Sequence, residues 1–239
     1  WEDLIPHALG HPIGGITVTR DHLILSSRDD GLPQIRVIEH ATGNSFDIPF
    51  DEEDYFVGVM EGREWETSTL RFSYSSMTTP ATIYDYNIET HERELKKQTE
   101  VLGDFSSDKY RTSRVLAPAE DGTLIPISIL YSKDTPLDGS APLYLYGYGS
   151  YGIVVDSNFG SARLSLVDRG FIFAVAHIRG GMDLGWDWYE DGKLLKKRNT
   201  FTDFIACAEY LVDQNYTEKG RIIASGGSAG GMLMGAVVN

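Results

Sequence analysis

Cysteine is nearly absent from the sequence, which has only Cys207 among its 239 residues. No disulfide can form within the chain, and a single thiol is typical of a reducing compartment, so we expect a cytoplasmic protein. No apolar run approaches the roughly 18 residues that a membrane span requires. Near the start of the sequence, no charged segment followed by an apolar one indicates a secretory signal.

Positive charge is also scarce, because 21 lysines and arginines stand against 35 aspartates and glutamates, for a formal net charge of −14. This balance argues against nucleic acid and against anionic membrane surfaces as partners. The histidines include no pair at metal-ligand spacing with a third acidic or cysteine partner. We therefore predict no metal and no cofactor.

The segment Arg221–Gly235 (RIIASGGSAGGMLMG) carries the clearest chemical signal. An apolar run predicts a buried strand, and a helix is predicted to follow the glycines. The pattern Gly226-x-Ser228-x-Gly230 between a strand and a helix is typical of the nucleophile elbow of α/β-hydrolases. We predict Ser228 as the nucleophile and the backbone N–H of Ala229 as a donor to an oxyanion.

Two other kinds of glycine-rich loop do not fit this segment. A phosphate-binding P-loop requires G-x-x-x-x-G-K-[ST], and no lysine follows here. A dinucleotide-binding loop requires G-x-G-x-x-G, a register that the glycines do not give. A plain turn remains as the structural alternative.

The order of the expected triad raises a difficulty, because in α/β-hydrolases an Asp or Glu and then a His follow the serine. Only residues 229–239 follow Ser228, and they contain no Asp, Glu or His. We expect the triad Asp and His to lie outside this sequence, which opens on Trp1 and is interpreted as an internal fragment. His177 precedes the serine, so we interpret it as a structural histidine.

Residues 1–93 are predicted to be all-β. Short β-rich runs alternate with turn signals such as Asp30-Gly31, and there are enough strands for about two propeller blades, or part of a sandwich. Two blades alone would leave exposed edges, and we expect further chain to complete the propeller. The charged segment His91–Glu100 is interpreted as a linker.

Residues 94–239 alternate strands with helices, which predicts a doubly wound, mostly parallel sheet with Ser228 at the carboxyl end of a central strand. Thr200 and Asp203 are interpreted as a capping box that opens a helix, and Cys207 as a core residue of that helix. The fold class is thus an incomplete α/β-hydrolase domain preceded by propeller blades. The basic cluster that includes Lys193, Lys196 and Lys197 is interpreted as a solvated loop or a contact between domains.

The sequence resembles the prolyl oligopeptidase family of serine peptidases, and within it the oligopeptidase B group. Four motifs carry the resemblance, which covers most of residues 94–239: Tyr144–Gly152 (YLYGYGSYG), Arg179-Gly180-Gly181, Trp188–Lys193 (WYEDGK) and Gly226–Gly235. The resemblance implies cleavage of short peptides, with the propeller screening out folded proteins, and for the oligopeptidase B group cleavage after Arg or Lys.

The resemblance also implies roles for individual residues. Ser228 matches the nucleophile, and Tyr148 matches a tyrosine whose hydroxyl donates to the oxyanion. Asp156 matches an acidic position in a subsite for basic side chains, but Asn158 stands where the family has a second acid.

Several alternatives remain open. Cleavage after proline and acyl aminopeptidase activity belong to the same family. A lipase-type esterase would carry an HGGG-type loop where this sequence has Tyr-Gly-Tyr-Gly. An inert piece, or a non-catalytic interaction module, is the alternative from another class.

Overall fold

The computed structural model describes residues 3–239. They form two four-stranded antiparallel sheets, followed by a five-stranded sheet with helices on both of its faces. Within residues 3–239, no helix is both long enough and apolar enough to cross a bilayer.

Each of the first two sheets is a meander in which the strands pair in chain order. The first sheet contains β1 (Ile13–Val18), β2 (His22–Asp29), β3 (Leu32–Glu39) and β4 (Ser45–Asp47). The second contains β5 (Phe56–Val59), β6 (Thr69–Ser75), β7 (Thr82–Asn87) and β8 (Arg93–Gln98). The turn signal at Asp30-Gly31 is confirmed, because both residues have positive φ between β2 and β3.

The two sheets share one core, as neighbouring blades would. Side chains from β2 and β3 pack with side chains from β5, β6 and β7, including Ile24, Ile35, Val57, Phe72 and Tyr86. The expectation of about two blades is therefore confirmed.

The linker predicted at His91–Glu100 is wrong, because β8 occupies Arg93–Gln98 and pairs with β7. All six residues of β8 are exposed, so the strand lacks the alternation of apolar and polar residues that reveals a half-buried strand. Charged side chains on an outer strand protect its free edge from pairing with other chains. The second blade thus extends through Gln98, and the domain boundary predicted at residue 93 moves beyond it.

The third sheet contains β9 (Tyr110–Pro118), β10 (Leu124–Ser132), β11 (Leu143–Gly147), β12 (Ile172–Ala176) and β13 (Ile222–Ser225), in the order β13-β11-β12-β10-β9. Strand β11 is parallel to both β12 and β13, whereas β10 is antiparallel to β9 and β12. Four helices accompany the sheet: α1 (Ser161–Val167), α2 (Trp186–Glu190), α3 (Arg198–Asp213) and α4 (Ala229–Val237).

The helices cover both faces of this sheet, as expected for a doubly wound fold. Leu164 and Val167 of α1 pack on one face with Phe173 of β12. On the other face, α3 and α4 pack over buried residues of β10 and β11. Cys207 of α3 is completely buried, which confirms it as a core residue.

Two details differ from the sequence-based predictions. Within residues 3–239, β13 is an edge strand rather than a central one, and Ile223 on it is 48% exposed. The capping box at Thr200 is also wrong, because α3 begins at Arg198 and the hydroxyl of Thr200 bonds the carbonyls of Arg179 and Gly192 instead.

Candidate active site

Ser228 lies on a strained turn between β13 and α4. Its backbone has φ +55° and ψ −118°, a combination that a residue with a side chain adopts only when its surroundings impose it. The residue is exposed. The turn therefore has the geometry expected of a nucleophile elbow.

Gly226 makes this turn possible. A Cβ atom at Gly226 would lie 2.6 Å from the carbonyl oxygen of Gly230 and 2.9 Å from that of Gly147, distances that real Cβ atoms essentially never show. The strand before Ser228 and the helix after it approach closely only because this position lacks a side chain.

The N–H of Ala229 is available beside the serine. Ala229 is the first residue of α4, and the first N–H groups of a helix have no partner within the helix. The positive end of the helix dipole adds to the attraction for an anion at this point. The serine hydroxyl and the first N–H of α4 thus come from adjacent residues.

Tyr148 is brought to the same place by the parallel pairing of β11 and β13. Tyr146 pairs with Ser225, so the loops that follow the two strands leave the sheet at the same edge. The ring of Tyr148 lies against the elbow, with its Cδ2 atom 3.6 Å from the position that a Cβ at Gly230 would take. Within residues 3–239 the tyrosine hydroxyl makes no hydrogen bond, which leaves it free to donate.

The loop that carries Tyr148 is held by the start of α3. Gly149 has φ +63°, and a Cβ there would lie 2.5 Å from the methyl group of Thr200. The ammonium of Lys197 donates to the carbonyl oxygen of Gly149 and, at 2.8 Å, to the hydroxyl of Ser150. Burial lowers the pKa of Lys197.

The predicted solvated basic cluster is therefore wrong for Lys197 and right for Lys196. Lys196 is exposed and pairs with Asp191 at 2.5 Å. Lys197 is instead partly buried and bonds Gly149 and Ser150 in the loop that follows Tyr148. Sequence gave no signal for this difference, because the two lysines are adjacent and chemically identical.

Arg179 fixes the neighbouring loop through a buried ion pair. Its guanidinium donates to both carboxylate oxygens of Asp203, at 2.6 and 2.9 Å, and to Asp121 at 2.6 Å. These hydrogen bonds raise the pKa of Arg179, and the arginine lowers the pKa of Asp121 to about 2. The sequence motif that contains Arg179 was recognised, but its acidic partners were not.

His177 is a structural histidine, as predicted. It is buried, with one ring nitrogen 2.6 Å from the hydroxyl of Ser128 and the other 2.9 Å from Asp183. Both nitrogens are occupied, so His177 has no free position from which to accept a proton from Ser228. The buried Ser128 hydroxyl is itself inaccessible to a substrate.

Asp156 lies where the catalytic domain meets the first blade. Its carboxylate accepts a hydrogen bond of 2.5 Å from the guanidinium of Arg28 in β2. Asn158, two residues later, contributes its carbonyl oxygen to Arg163 at 2.8 Å. The family resemblance implied that Asp156 belongs to a subsite for basic side chains, and it gave no sign of the pair with Arg28.

Two family models match the chain. Residues 1–99 match the model of the prolyl oligopeptidase N-terminal beta-propeller domain, and residues 157–239 match that of the prolyl oligopeptidase family. Together the two matches cover most of the chain and include both blades and the elbow.

Two curated relatives match along most or all of the chain. Dipeptidyl aminopeptidase BI of Pseudoxanthomonas mexicana is 47% identical over 100% of this chain and 33% of its own length. Protease 2 of Moraxella lacunata is 41% identical over 92% of this chain and 32% of its own length. The chain thus spans about a third of the length of these relatives.

Solved structures of the same kind superpose closely. Oligopeptidase B from Trypanosoma brucei, in its closed form with covalently bound antipain, is 42% identical with a TM-score of 0.89, over 98% of this chain and 34% of that one. Oligopeptidase B from Leishmania major is 41% identical with a TM-score of 0.85, over 94% and 33%. With its elbow, its blades and these matches, the chain belongs to the prolyl oligopeptidase family of serine peptidases.

Proposed function

We propose that the protein hydrolyses peptide bonds in short peptides through an acyl-enzyme formed on Ser228. The observation that carries the proposal is the strained, exposed Ser228 with the N–H of Ala229 and the ring of Tyr148 beside it. Membership of a peptidase family supports the choice of peptides over other acyl substrates. No cofactor enters the proposed reaction.

In the proposed mechanism, the oxygen of Ser228 attacks the scissile carbonyl while a histidine accepts its proton. The negative charge that develops on the carbonyl oxygen is held by the N–H of Ala229 and the hydroxyl of Tyr148. The tetrahedral intermediate then expels the amine, which takes the proton from the histidine. Water hydrolyses the remaining ester by the same steps in reverse order.

We assign the general base to a histidine that follows Ser228 in the full-length protein and is oriented by an aspartate. The order of the triad in this fold supports this assignment. So does the environment of His177, whose two ring nitrogens already bond Ser128 and Asp183. On this proposal residues 1–239 alone are inactive.

The proposed specificity is for peptides cleaved after Arg or Lys. The similarity to Protease 2 and to two oligopeptidase B structures supports it. The net charge of −14 on these residues also favours cationic ligands over anionic ones.

A second candidate is release of dipeptides from a free N-terminus. It is favoured by the similarity to a dipeptidyl aminopeptidase at 47% identity. Cleavage after proline is a third possibility within the family, favoured by the prolyl endopeptidase of Elizabethkingia meningoseptica, 37% identical over 74% of this chain.

Initial rates of the full-length protein on three matched fluorogenic series distinguish these specificities. The first series contains N-terminally blocked peptides with Arg or Lys before the reporter. The second contains dipeptides with the same residues before the reporter and a free amino terminus. The third contains blocked peptides with proline before the reporter. The main proposal expects turnover of blocked Arg peptides that Ser228→Ala abolishes. Turnover of free-amine peptides alone would favour the second candidate. No turnover in any series would contradict a peptidase.

A further inference from the structure

We propose that Arg28 is a specificity-determining residue, because its guanidinium occupies Asp156 and must be displaced before a basic side chain of a substrate can bind there. The inference rests on the proposed function, in which Asp156 belongs to a subsite for basic side chains. It adds a residue of the blade, outside the catalytic domain, to the determinants of substrate choice.

The ion pair between the two residues is close and largely shielded. The terminal nitrogen of Arg28 lies 2.5 Å from Asp156, and the two side chains are only 18% and 19% exposed. The other terminal nitrogen of Arg28 donates to the carbonyl oxygen of Gly31 at 2.8 Å. Because Gly31 lies in the turn after β2, the blade itself holds the guanidinium in place against the carboxylate.

Position 158 offers no second carboxylate to the cation of a substrate, and the acid that lines the space beside Arg28 is Glu61. Asn158 is neutral where a second acid would stand. Asp54, the acid on the neighbouring part of the interface, is buried and bonds the guanidinium of Arg114 at 3.4 Å and the hydroxyl of Ser157 at 2.6 Å. With Arg28 in place, the charge of Asp156 is neutralised before any ligand arrives.

Arg28 also lines a space that a ligand could enter. A cavity of about 470 Å³ lies between the blades and the catalytic domain, and Arg28 forms part of its wall. On the side of the catalytic domain its lining includes Gly152, from the loop after Tyr148, and Met182, from the loop after Arg179. Arg28 thus borders a space that is also lined by the loop following Tyr148.

The chemistry of exchange follows from these contacts. The guanidinium of a substrate can pair with Asp156 only after Arg28 has separated from that carboxylate. Arg28 is then left partly buried, with the carbonyl oxygen of Gly31 as its remaining partner. The net gain is small, because one ion pair is exchanged for another of the same kind. Removal of Arg28 leaves an unpaired, partly buried carboxylate that binds an external cation without competition.

Binding of two blocked dipeptide amides to the full-length protein tests this inference without requiring turnover. The two dipeptides of a pair differ at one position, where one has arginine and the other has citrulline, the neutral isostere of arginine. A second pair varies the other position in the same way. The ratio of the two dissociation constants, measured by titration calorimetry, reports the preference for positive charge. We expect Arg28→Met to raise that preference by about tenfold or more at one position, since close interfacial charge pairs couple strongly.

Arg36→Met is the matched control, because Arg36 is in the same blade and pairs with Asp47 in an exposed ion pair far from Asp156 in sequence. It is expected to leave the ratio unchanged. In Arg28→Met, a further Asp156→Asn change is expected to remove the gain. Arg28→Lys retains the positive charge and is expected to keep the wild-type ratio. If Arg28→Met does not fold, the ratio is compared between Arg28→Lys and Asp156→Asn.

An unchanged ratio in folded Arg28→Met, or a gain that persists without Asp156, would overturn the inference. Failure of the proposed function has a different signature. A protein that binds these dipeptides but shows no turnover that depends on Ser228 would contradict the peptidase and leave the measured role of Arg28 intact.

Discussion

Ser228 has a backbone conformation that costs free energy, on the order of 1–3 kcal/mol for a residue outside the favoured regions. The strained turn places Ser228 directly before Ala229, the first residue of α4, so the serine and the first N–H of the helix lie side by side. Gly226 supports this arrangement by its lack of a side chain. At this scale the site is a local product of one strand, one turn and one helix.

Tyr148→Phe tests the proposal that the hydroxyl of Tyr148 is the second donor to the oxyanion. Removal of one such donor typically lowers kcat by a factor of roughly 100 to 1,000, and KM changes little because the charge exists only in the transition state. Steady-state kinetics of the full-length protein on its best peptide give both values. Tyr151→Phe is the control, since Tyr151 is 77% exposed on the same loop. A loss confined to KM would contradict the assigned role.

The residues of the elbow could be predicted from the sequence because their signal is local. The glycines two positions before and after Ser228 predict that a side chain would not fit there, as the close contacts at Gly226 and Gly230 show. The partners of Arg28 and Arg179 could not be predicted, because Asp156 lies 128 positions from Arg28 and Asp121 lies 58 positions from Arg179. Such pairs depend on how domains and loops meet in space, and no periodic pattern of residues records that.

The loop after β11 and the start of α3 act together at the scale of elements. Lys197 connects them by donating to Gly149 and Ser150, the two residues directly after Tyr148. Arg179 holds the adjacent loop to Asp203 inside α3. The position of the tyrosine hydroxyl thus depends on a helix that does not itself contact the substrate in the proposed mechanism.

Lys197→Met retains the apolar stem and removes the ammonium that holds this loop. We expect kcat to fall by about tenfold while KM stays nearly constant, because a small displacement of the tyrosine weakens stabilisation of the transition state. Affinity for a peptide aldehyde, which forms an anionic adduct with Ser228, should fall in parallel with kcat.

Lys196→Met is the matched control for this change, as Lys196 is exposed and pairs with Asp191, away from Gly149 and Ser150. It should leave kcat, KM and aldehyde affinity unchanged. If Lys197→Met lowers thermal stability but not aldehyde affinity, Lys197 has only a structural role.

Element types were predicted well where periodicity was strong, and poorly where charge masked it. The alternation of strands and helices in residues 94–239 was predicted correctly from sequence. Strand β8 was missed because neither of its faces is buried. The start of α3 was predicted at the wrong residue because Thr200 is of a type common at helix N-caps. Its hydroxyl instead bonds the carbonyl oxygens of Arg179 and Gly192.

Polar contacts join the blades to the catalytic domain at the scale of the whole molecule. Asp54, in the segment before β5, is almost fully buried and contacts Arg114 of β9 and Ser157. The backbone of Phe159 donates to the hydroxyl of Ser75 at 3.0 Å. Desolvation lowers the pKa of Arg114, which records how completely this contact is removed from water.

Arg114→Met should destabilise the full-length protein by roughly 3 kcal/mol, because it leaves the buried carboxylate of Asp54 without its cation. The apparent midpoint of thermal unfolding measures the effect at a fixed heating rate. The double change Arg114→Met with Asp54→Asn should be more stable than Arg114→Met alone, since removing both charges avoids the unpaired one. A double variant no more stable than the single one would contradict an electrostatic origin.

The central claim is that Ser228 is an activated nucleophile, and labelling of the full-length protein by a fluorophosphonate tests it most directly. Intact mass before and after incubation, with Ser228→Ala alongside, shows whether one adduct forms and whether it requires that serine. We predict a single adduct on the wild-type protein that maps to the peptide containing Ser228 and is absent from the variant. No adduct on the folded wild-type protein, or an adduct that persists in Ser228→Ala, would contradict the account.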